Sequence, residues 1–284
     1  MNAAGERAIV TRFAPSPTGY MHLGHAYSAL KSYREAQAAG GRFILRIEDI
    51  DRSRARDEFE AAIGEDLAWL GIEWDGAVRR QSEHYDDYAA ALDELARRNL
   101  LYPCFCTRKA IRAEIAHADA APHGSDGPVY PGLCRELTRD EQNRRMRAGE
   151  AFALRLNVAR AATQAGPLFW TDRKQGRIEA LPEAAGDVVL ARKEVPTSYH
   201  LAVTLDDHLQ GVSLVTRGED LFEATHIHRL LQALLGLNTP DYHHHGLITD
   251  DGGRRLAKRN RAVTLRTLRK AGKTPEQILV MIGM

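Results

Sequence analysis

An α/β fold is predicted by three features of the 284-residue chain. Strand-like and helix-like apolar patterns alternate over the first hundred residues, the alternation resumes near residue 187, and the first strand runs through a proline-rich loop into a helix. Residues 8–14 read as a short β run. Pro15, Pro17 and Gly19 break it, and a helical pattern follows over residues 24–39. Residues 42–47 alternate as a strand, 57–70 carry apolar residues at helical spacing, and 83–100 form another amphipathic helix. The pattern then changes. From Cys104 to Cys134 the chain is rich in Gly, Pro and His, and Thr138 with Glu141 three residues on offers a capping box for a short helix. Residues 103–185 are therefore expected as an insertion between the two halves, 1–102 and 186–250, of one sheet. The second half runs through 187–191, 198–205 and 212–217 to an apolar-periodic helix at 221–235 and a final strand at 243–248. Residues 251–284 supply a basic loop and two short helices, the second opened by Thr274 at N-cap, Pro275 at N1 and Gln277 at N3.

A mass of 31.6 kDa, with 44% hydrophobic and 27% charged residues, is ordinary globular composition and excludes disordered, collagenous and coiled-coil classes. No apolar run reaches the ~18–20 residues of a membrane span, and Met1 to Arg7 has no apolar region following a basic one, as a secretion signal would. A cytoplasmic protein with no membrane partner and no obligatory protein partner is expected. The overall formal charge is +1, but residues 251–273 hold nine basic side chains and one acid. That density suits a solvated helix face or a phosphate-bearing partner.

The segment from Arg12 to His25 joins a strand end, a proline-stiffened loop and a helix N-terminus carrying His22 and His25. Unpaired backbone N–H groups and the positive end of the helix dipole attract phosphate there, and imidazoles donate to phosphate oxygens. Gly24 lets a flat ring approach the backbone. Either histidine alone would ordinarily be a cap or a core residue; together, at this spacing, they fit a nucleoside triphosphate.

The string Arg12-Phe-Ala-Pro-Ser-Pro-Thr-Gly-Tyr-Met-His22-Leu-Gly24-His25 resembles the His-x-Gly-His signature of class I aminoacyl-tRNA synthetases, and its flanks resemble the glutamyl-specific branch. Arg46-Ile-Glu48-Asp49-Ile-Asp51, Ser198-Tyr199-His-Leu-Ala, Asp206-Asp207-His-Leu-Gln-Gly and Arg217-Gly-Glu-Asp-Leu follow in that family's order, so the resemblance covers nearly the whole chain. It implies a Rossmann-like class I synthetase catalytic domain with a zinc-containing insertion and a short C-terminal helical segment. It also implies ATP as substrate, accompanied by Mg2+, with His22, Gly24, His25 and Lys258 at the nucleotide. Lys258 stands in Arg255-Leu-Ala257-Lys258-Arg259, where the family has Lys-Met-Ser-Lys-Ser; Arg255 replaces the first lysine and Ala257 the serine. A cation there would act on charge that builds during displacement at the α-phosphorus.

Glutamate carries two carboxylates and one ammonium, so its pocket needs arginines for the former and a carboxylate for the latter. Arg12, Arg217 and Glu48 are that set, placed at strand ends where open α/β sheets bind ligands. An exposed ion pair is the plainer reading of Glu48 with Arg217. The resemblance adds Tyr199 and the stretch Phe13, Ala14, Pro15 and Ser16.

Three cysteines, Cys104, Cys106 and Cys134, cluster in the polar insertion and need a fourth ligand for tetrahedral zinc. The chemistry nominates His123 or His117. Short relatives in the synthetase family carry Cys-x-Cys and then Tyr-x-x-x-Cys, which Tyr130 to Cys134 matches, so the resemblance implies Tyr130, with His123 the alternative. Three ordinary buried cysteines are the plainer reading. The site is expected to be structural, with one Zn2+ per chain. His243, His244 and His245 are consecutive on a strand, alternate between faces and are assigned no metal.

Full-length glutamyl-tRNA synthetases continue beyond the Lys258 loop into a large helical region that reads the anticodon, whereas about 25 residues follow that loop in this sequence. Val203 stands beside the expected glutamate pocket where those enzymes usually carry Asn. The branch that resembles this chain in both the short C-terminal stretch and the Cys/Tyr pattern glutamylates queuosine in tRNA(Asp), after activating L-glutamate with ATP in the absence of tRNA. Its acceptor is a single-stranded anticodon loop. A synthetase that charges a tRNA 3′ end, and a non-catalytic paralogue that binds ATP or tRNA, are the alternatives.

Overall fold

The computed structural model describes residues 8–107, 123–124, 127–248 and 263–284, with the backbone alone at 123–124 and 127–128. Lys258, Arg255, Ala257 and His117 lie outside these residues, as does the His123 side chain.

β1 (Val10–Phe13) pairs in parallel with β2 (Arg42–Ile47), in a register running from Val10↔Arg42 to Phe13↔Leu45, and β2 pairs in parallel with β3 (Arg79–Arg80). In the second half β11 (Leu214–Gly218) pairs in parallel with β12 (Asp241–His245). The halves meet at Ser213, whose N–H donates to the Val10 carbonyl at 3.0 Å and whose Oγ accepts from Val10 N–H at 2.8 Å. α1 (Leu23–Ala38) crosses from β1 to β2, and α7 (Ala224–Leu235) from β11 to β12.

Alternation along the strands sorts the two faces. Phe43, Leu45 and Ile47 of β2 join Phe13 against α1 and α2 (Asp57–Trp69). Val10, Ile44, Val215 and Tyr242 turn the other way into a separate cluster around Trp170. Arg12, Arg46, Arg217 and His244 share the parity of this second set, so period two alone places four polar side chains on one inner face, and all four are buried. α3 (Tyr85–Arg97), α5 (Val158–Ala165), α6 (Tyr199–Leu209) and α7 build a third apolar cluster. With α1 and α7 in different clusters, the crossovers diverge at β1 and β11, the geometry that opens a crevice at the carboxyl ends of parallel strands.

Several boundaries differ from those expected. The helix expected at 83–100 is a 3-10 turn at Gln81–Glu83 followed by α3, which ends before Asn99 turns left-handed at φ 56°. The last strand lies at Asp241–His245, not 243–248, because the chain leaves the sheet at Gly246. The expected insertion is divided by strand pairing. β4 (Leu101–Cys104), β7 (Ala153–Leu156) and β10 (Val189–Arg192) form one antiparallel sheet that straddles both of its expected limits. β8 (Phe169–Asp172) and β9 (Gly176–Glu179) form a hairpin that returns to β12 through Asp172 and Tyr242. β5 (His123–Gly124) and β6 (Gly127–Pro128) make a two-residue ladder.

Thr138 caps α4 (Arg139–Arg147) by accepting from Glu141 N–H at 3.3 Å, but the Glu141 carboxylate turns to Arg144, so the expected box is half made. The box at Thr274 and Gln277 is complete and opens α9 (Pro275–Met281). α8 (Leu265–Lys270) and α9 bury Leu265, Leu268, Ile278 and Ile282 against the α1–α2 core.

Candidate active site

A cleft of about 540 Å³ opens at the carboxyl ends of β1, β2 and β11. Arg12, Phe13, Ala14, Pro15, Ser16, His22, Gly24, His25, Glu48, Tyr199 and Arg217 all line it. Every expected substrate and nucleotide residue within the described chain is therefore brought to one place. Val203 is not; it is 1% exposed inside α6, where its carbonyl accepts from Arg46 at 3.5 Å.

His22 caps α1 with an imidazole. Its Nδ1 accepts from Gly24 N–H at 3.1 Å, while His25 Nδ1 accepts from His22 N–H at 3.1 Å, a capping box built from two rings. Both neutral rings must then carry their protons on Nε2. Their centroids lie 3.9 Å apart. A Cβ on Gly24 would lie 3.0 Å from His22 Cε1, so a side chain there would press on the cap ring. The plainer reading of these histidines, as caps, holds together with their place in the cleft.

Glu48 N–H donates to the Pro15 carbonyl at 3.0 Å, tying the β2 end to the proline loop. Desolvation pushes the Glu48 carboxyl up to about 7, against the pull of Arg46 and Arg12.

The two arginines differ in their partners. Arg12 Nε is 3.0 Å from Asp207 Oδ1 and its Nη1 donates to the Thr216 carbonyl at 3.3 Å. The fully buried Arg46 also pairs with Asp207 and donates to Gln210 Oε1 at 2.8 Å. Although desolvation works the other way, these two guanidinium groups hold the Asp207 carboxyl below the usual range. Neighbouring Asp206 receives Arg79 at 2.8 Å, Gln81 at 2.8 Å and Tyr88 at 2.9 Å.

Arg217 is held without a carboxylate among the described residues. Nε donates to His244 Nε2 at 3.1 Å. Nη1 donates to Tyr199 Oη and His228 Nδ1, each at 3.3 Å, and Nη2 to the Leu221 carbonyl at 3.1 Å and Thr225 Oγ1 at 2.6 Å. Burial, then the Arg217 charge, keep His228 well below the usual histidine range and push His244 down to about 4, so both are neutral acceptors.

Sequence reading gave no role to Asp207, Asp172, His228 or His244. Asp206-Asp207 inside an apolar helix was the available signal, since adjacent acids there require buried partners; Asp172 sits in a polar turn and gave none. His243 and His245 both face α1, contacting Glu35 at 2.7 Å and Ser28 at 2.8 Å, while His244 faces Arg217. The alternation expected for the three histidines is observed.

The residues flanking 249–262 border the same cleft. Leu247 and Ile248 line it; Thr264 bridges to His22, and Leu265 N–H donates to the Met21 carbonyl at 2.8 Å.

The ligand atoms of Cys104, Cys106 and Cys134 lie within 4.8 Å of one another, the one such group of metal-ligating side chains among the described residues. Tyr130 Oη is 3.3 Å from Cys104 Sγ and 3.5 Å from Cys106 Sγ, and it accepts from Cys134 N–H at 2.9 Å. Cys106 Sγ and Cys134 Sγ are 3.4 Å apart. Three sulfurs and one phenolic oxygen so placed fit a tetrahedral metal site. The group lies at β4 and the chain preceding α4, away from the cleft lining.

Residues 8–284 match the family described as "tRNA synthetases class I (E and Q), catalytic domain". The chain is 53% identical to the glutamyl-Q tRNA(Asp) synthetase of Rhodobacter capsulatus, over 97% of this chain and 100% of that protein. It is 42% identical to the protein of the same name from Symbiobacterium thermophilum, over 94% of this chain and 83% of that one. The glutamate–tRNA ligase of Aquifex aeolicus is 38% identical over 95% of this chain, which spans 55% of that protein. The solved glutamate–tRNA synthetase of Elizabethkingia anophelis superposes with a TM-score of 0.81 at 28% identity, over 98% of this chain and 61% of that one.

Proposed function

This chain belongs to the catalytic-domain family of class I tRNA synthetases for glutamate and glutamine, and from that membership we propose a two-step glutamylation of a tRNA base. L-Glutamate is first activated by ATP, without tRNA, to glutamyl-adenylate. The glutamyl group then passes to queuosine in the anticodon loop of tRNA(Asp).

The observation that carries the first step is the meeting of the charge set and the histidine cap in one cleft. The α-carboxylate attacks the α-phosphorus; an O–P bond forms, and pyrophosphate leaves with the electron pair of the bond that breaks. His22 and His25 through Nε2, with the N-terminus of α1, are assigned to phosphate oxygens. Arg217 is assigned to the side-chain carboxylate, which has to be held away from phosphorus, and Glu48 to the ammonium. Phe13, Ala14, Pro15, Ser16 and Tyr199 complete the pocket, Arg12 supplies its second guanidinium, and Gly24 keeps the His22 ring in place. Lys258 is assigned to charge on the phosphates, with Mg2+ accompanying ATP.

In the second step a hydroxyl of the queuosine diol attacks the acyl carbon, loses its proton, and AMP leaves. This acceptor is supported by the 53% identical relative of that name, matched along its whole length. Charging of a tRNA 3′ end is the second reading, favoured by the 38% identical glutamate–tRNA ligase. We assign a structural zinc to Cys104, Cys106, Tyr130 and Cys134, where it would tie β4 to the chain before α4. The cytoplasm is the proposed compartment.

Glutamate-dependent ATP–pyrophosphate exchange in the absence of tRNA tests activation. Exchange with glutamate, and not with glutamine or aspartate, is expected; exchange only after addition of tRNA would overturn the tRNA-independent step.

A further inference from the structure

Arg12 and Arg217 reach the cleft from neighbouring strands, yet one is paired with a carboxylate and the other is not. The nearest acid in the Arg217 network is Asp172, one imidazole away. Asp172 Oδ2 is 2.8 Å from His244 Nδ1, and His244 Nε2 faces Arg217 Nε at 3.1 Å. Two independent constraints fix this ring. Asp172 is held below the usual carboxylate range: burial opposes that, but the His244 ring and three backbone N–H groups outweigh it, so it can only accept. Arg217 can only donate. Both demand a neutral imidazole with its proton on Nδ1.

We propose that Asp172 and His244 are positioning residues for Arg217. Asp172 locks His244 as a hydrogen-bond acceptor that orients the guanidinium, while the ring keeps the carboxylate too far away to neutralise it. The charge then remains available to the substrate's carboxylate. A carboxylate in direct contact would compete with glutamate, as Asp207 does for the Arg12 charge. Tyr242, stacked on His244 with an interplanar angle of 3°, and Trp170, edge-on at 5.8 Å, hold the ring plane. Asp172 is itself anchored, because Oδ1 accepts Lys174 and Gln175 N–H at 2.8 and 3.2 Å and Oδ2 accepts His244 N–H at 3.1 Å.

The inference rests on Arg217 as a glutamate ligand, so Arg217→Ala is measured alongside. In Asp172→Asn the amide oxygen can keep the turn at Lys174 and Gln175 while the amide nitrogen faces Nδ1 and the His244 backbone N–H, which loses its acceptor. The imidazole proton then moves to Nε2 and a donor confronts a donor. The KM for glutamate in the exchange reaction is expected to rise about tenfold or more, with kcat changed less than about threefold. His244→Gln, whose amide can donate to Asp172 and accept from Arg217, should restore much of the lost affinity relative to His244→Leu.

Long-range 15N NMR of the imidazoles supplies a readout independent of activity. His244 should be protonated at Nδ1 in the native protein and at Nε2 in Asp172→Asn. A native Nε2–H tautomer would overturn the proposal. So would an unchanged KM in Asp172→Asn once the tautomer has switched, or equal losses in His244→Gln and His244→Leu. If Arg217→Ala leaves the KM for glutamate unchanged, the assignment of Arg217 itself has failed, and the NMR result stands apart from it.

Discussion

His22 and His25 cap one helix with each other: the first ring accepts from the backbone of Gly24, and the second accepts from the backbone of His22, both at 3.1 Å. Capping therefore uses Nδ1 and, in the neutral rings, places the proton on Nε2 of both. His22→Asn separates the two roles, because Asn is a good N-cap but carries no donor at the Nε2 position. Thermal unfolding should shift by less than the effect of about 1 kcal/mol, while glutamate-dependent exchange falls roughly a hundredfold. Equal loss of stability and exchange would make the histidine a cap alone.

The proposed pairing of Glu48 with the substrate ammonium predicts a pH dependence of glutamate binding. Burial pushes its carboxyl up to about 7, so below that pH it is increasingly neutral and has no charge to offer an ammonium. The KM for glutamate should climb as pH falls below about 7, approaching tenfold per unit, and Glu48→Gln should raise KM and flatten the profile. The stability sign follows from the same shift. A carboxyl raised above its free value of 4.5 favours the folded state at low pH, and that contribution falls as pH rises from 4.5 to about 7 and is level above it.

Asp207 carries two guanidinium groups at once. Asp207→Asn removes the one carboxylate that Arg12 and Arg46 both contact, leaves Arg46 only the less direct charges of Asp206 and Glu48, and should cost about 3–5 kcal/mol in urea unfolding. Because the Asp207 carboxyl is depressed, its contribution is present above the unfolded carboxylate range and is lost as pH falls through the folded value. A near-neutral substitution would remove Asp207 as the brace between β1, β2 and α6.

The legible part of this site was the part set by strand ends and one helix start. His22, His25, Arg12, Glu48 and Arg217 stand in ordered motifs, and the loop after a parallel strand is where such a fold places ligands. What could not be read is what holds them. Asp207 and Asp172 reach Arg12 and His244 across 195 and 72 residues of sequence, and no local period encodes such pairings. The same reason hid the sheet that crosses the expected insertion limits: β4, β7 and β10 are each short, and only their antiparallel pairing makes them one sheet.

The cysteine cluster predicts one metal per chain. Cys104→Ser or Cys134→Ser should abolish stoichiometric zinc and raise proteolysis around β4 and β7 while near-native helical circular dichroism persists. Tyr130→Phe should lose metal and His123→Ala should keep it; the reverse pair of results would exchange the fourth ligand.

Removal of the 3′-terminal adenosine from tRNA(Asp), with queuosine left intact, addresses the proposed acceptor most directly. That step removes the adenosine whose hydroxyls accept the amino acid in 3′-end charging and spares the diol in the anticodon loop, so labelled glutamate on the shortened tRNA marks the base. Undiminished, periodate-sensitive transfer to this shortened tRNA(Asp) is expected, and none to tRNA(Asp) lacking queuosine. Loss of transfer with the adenosine, or full transfer without queuosine, would contradict the proposed acceptor and assign the glutamyl group to the 3′ end.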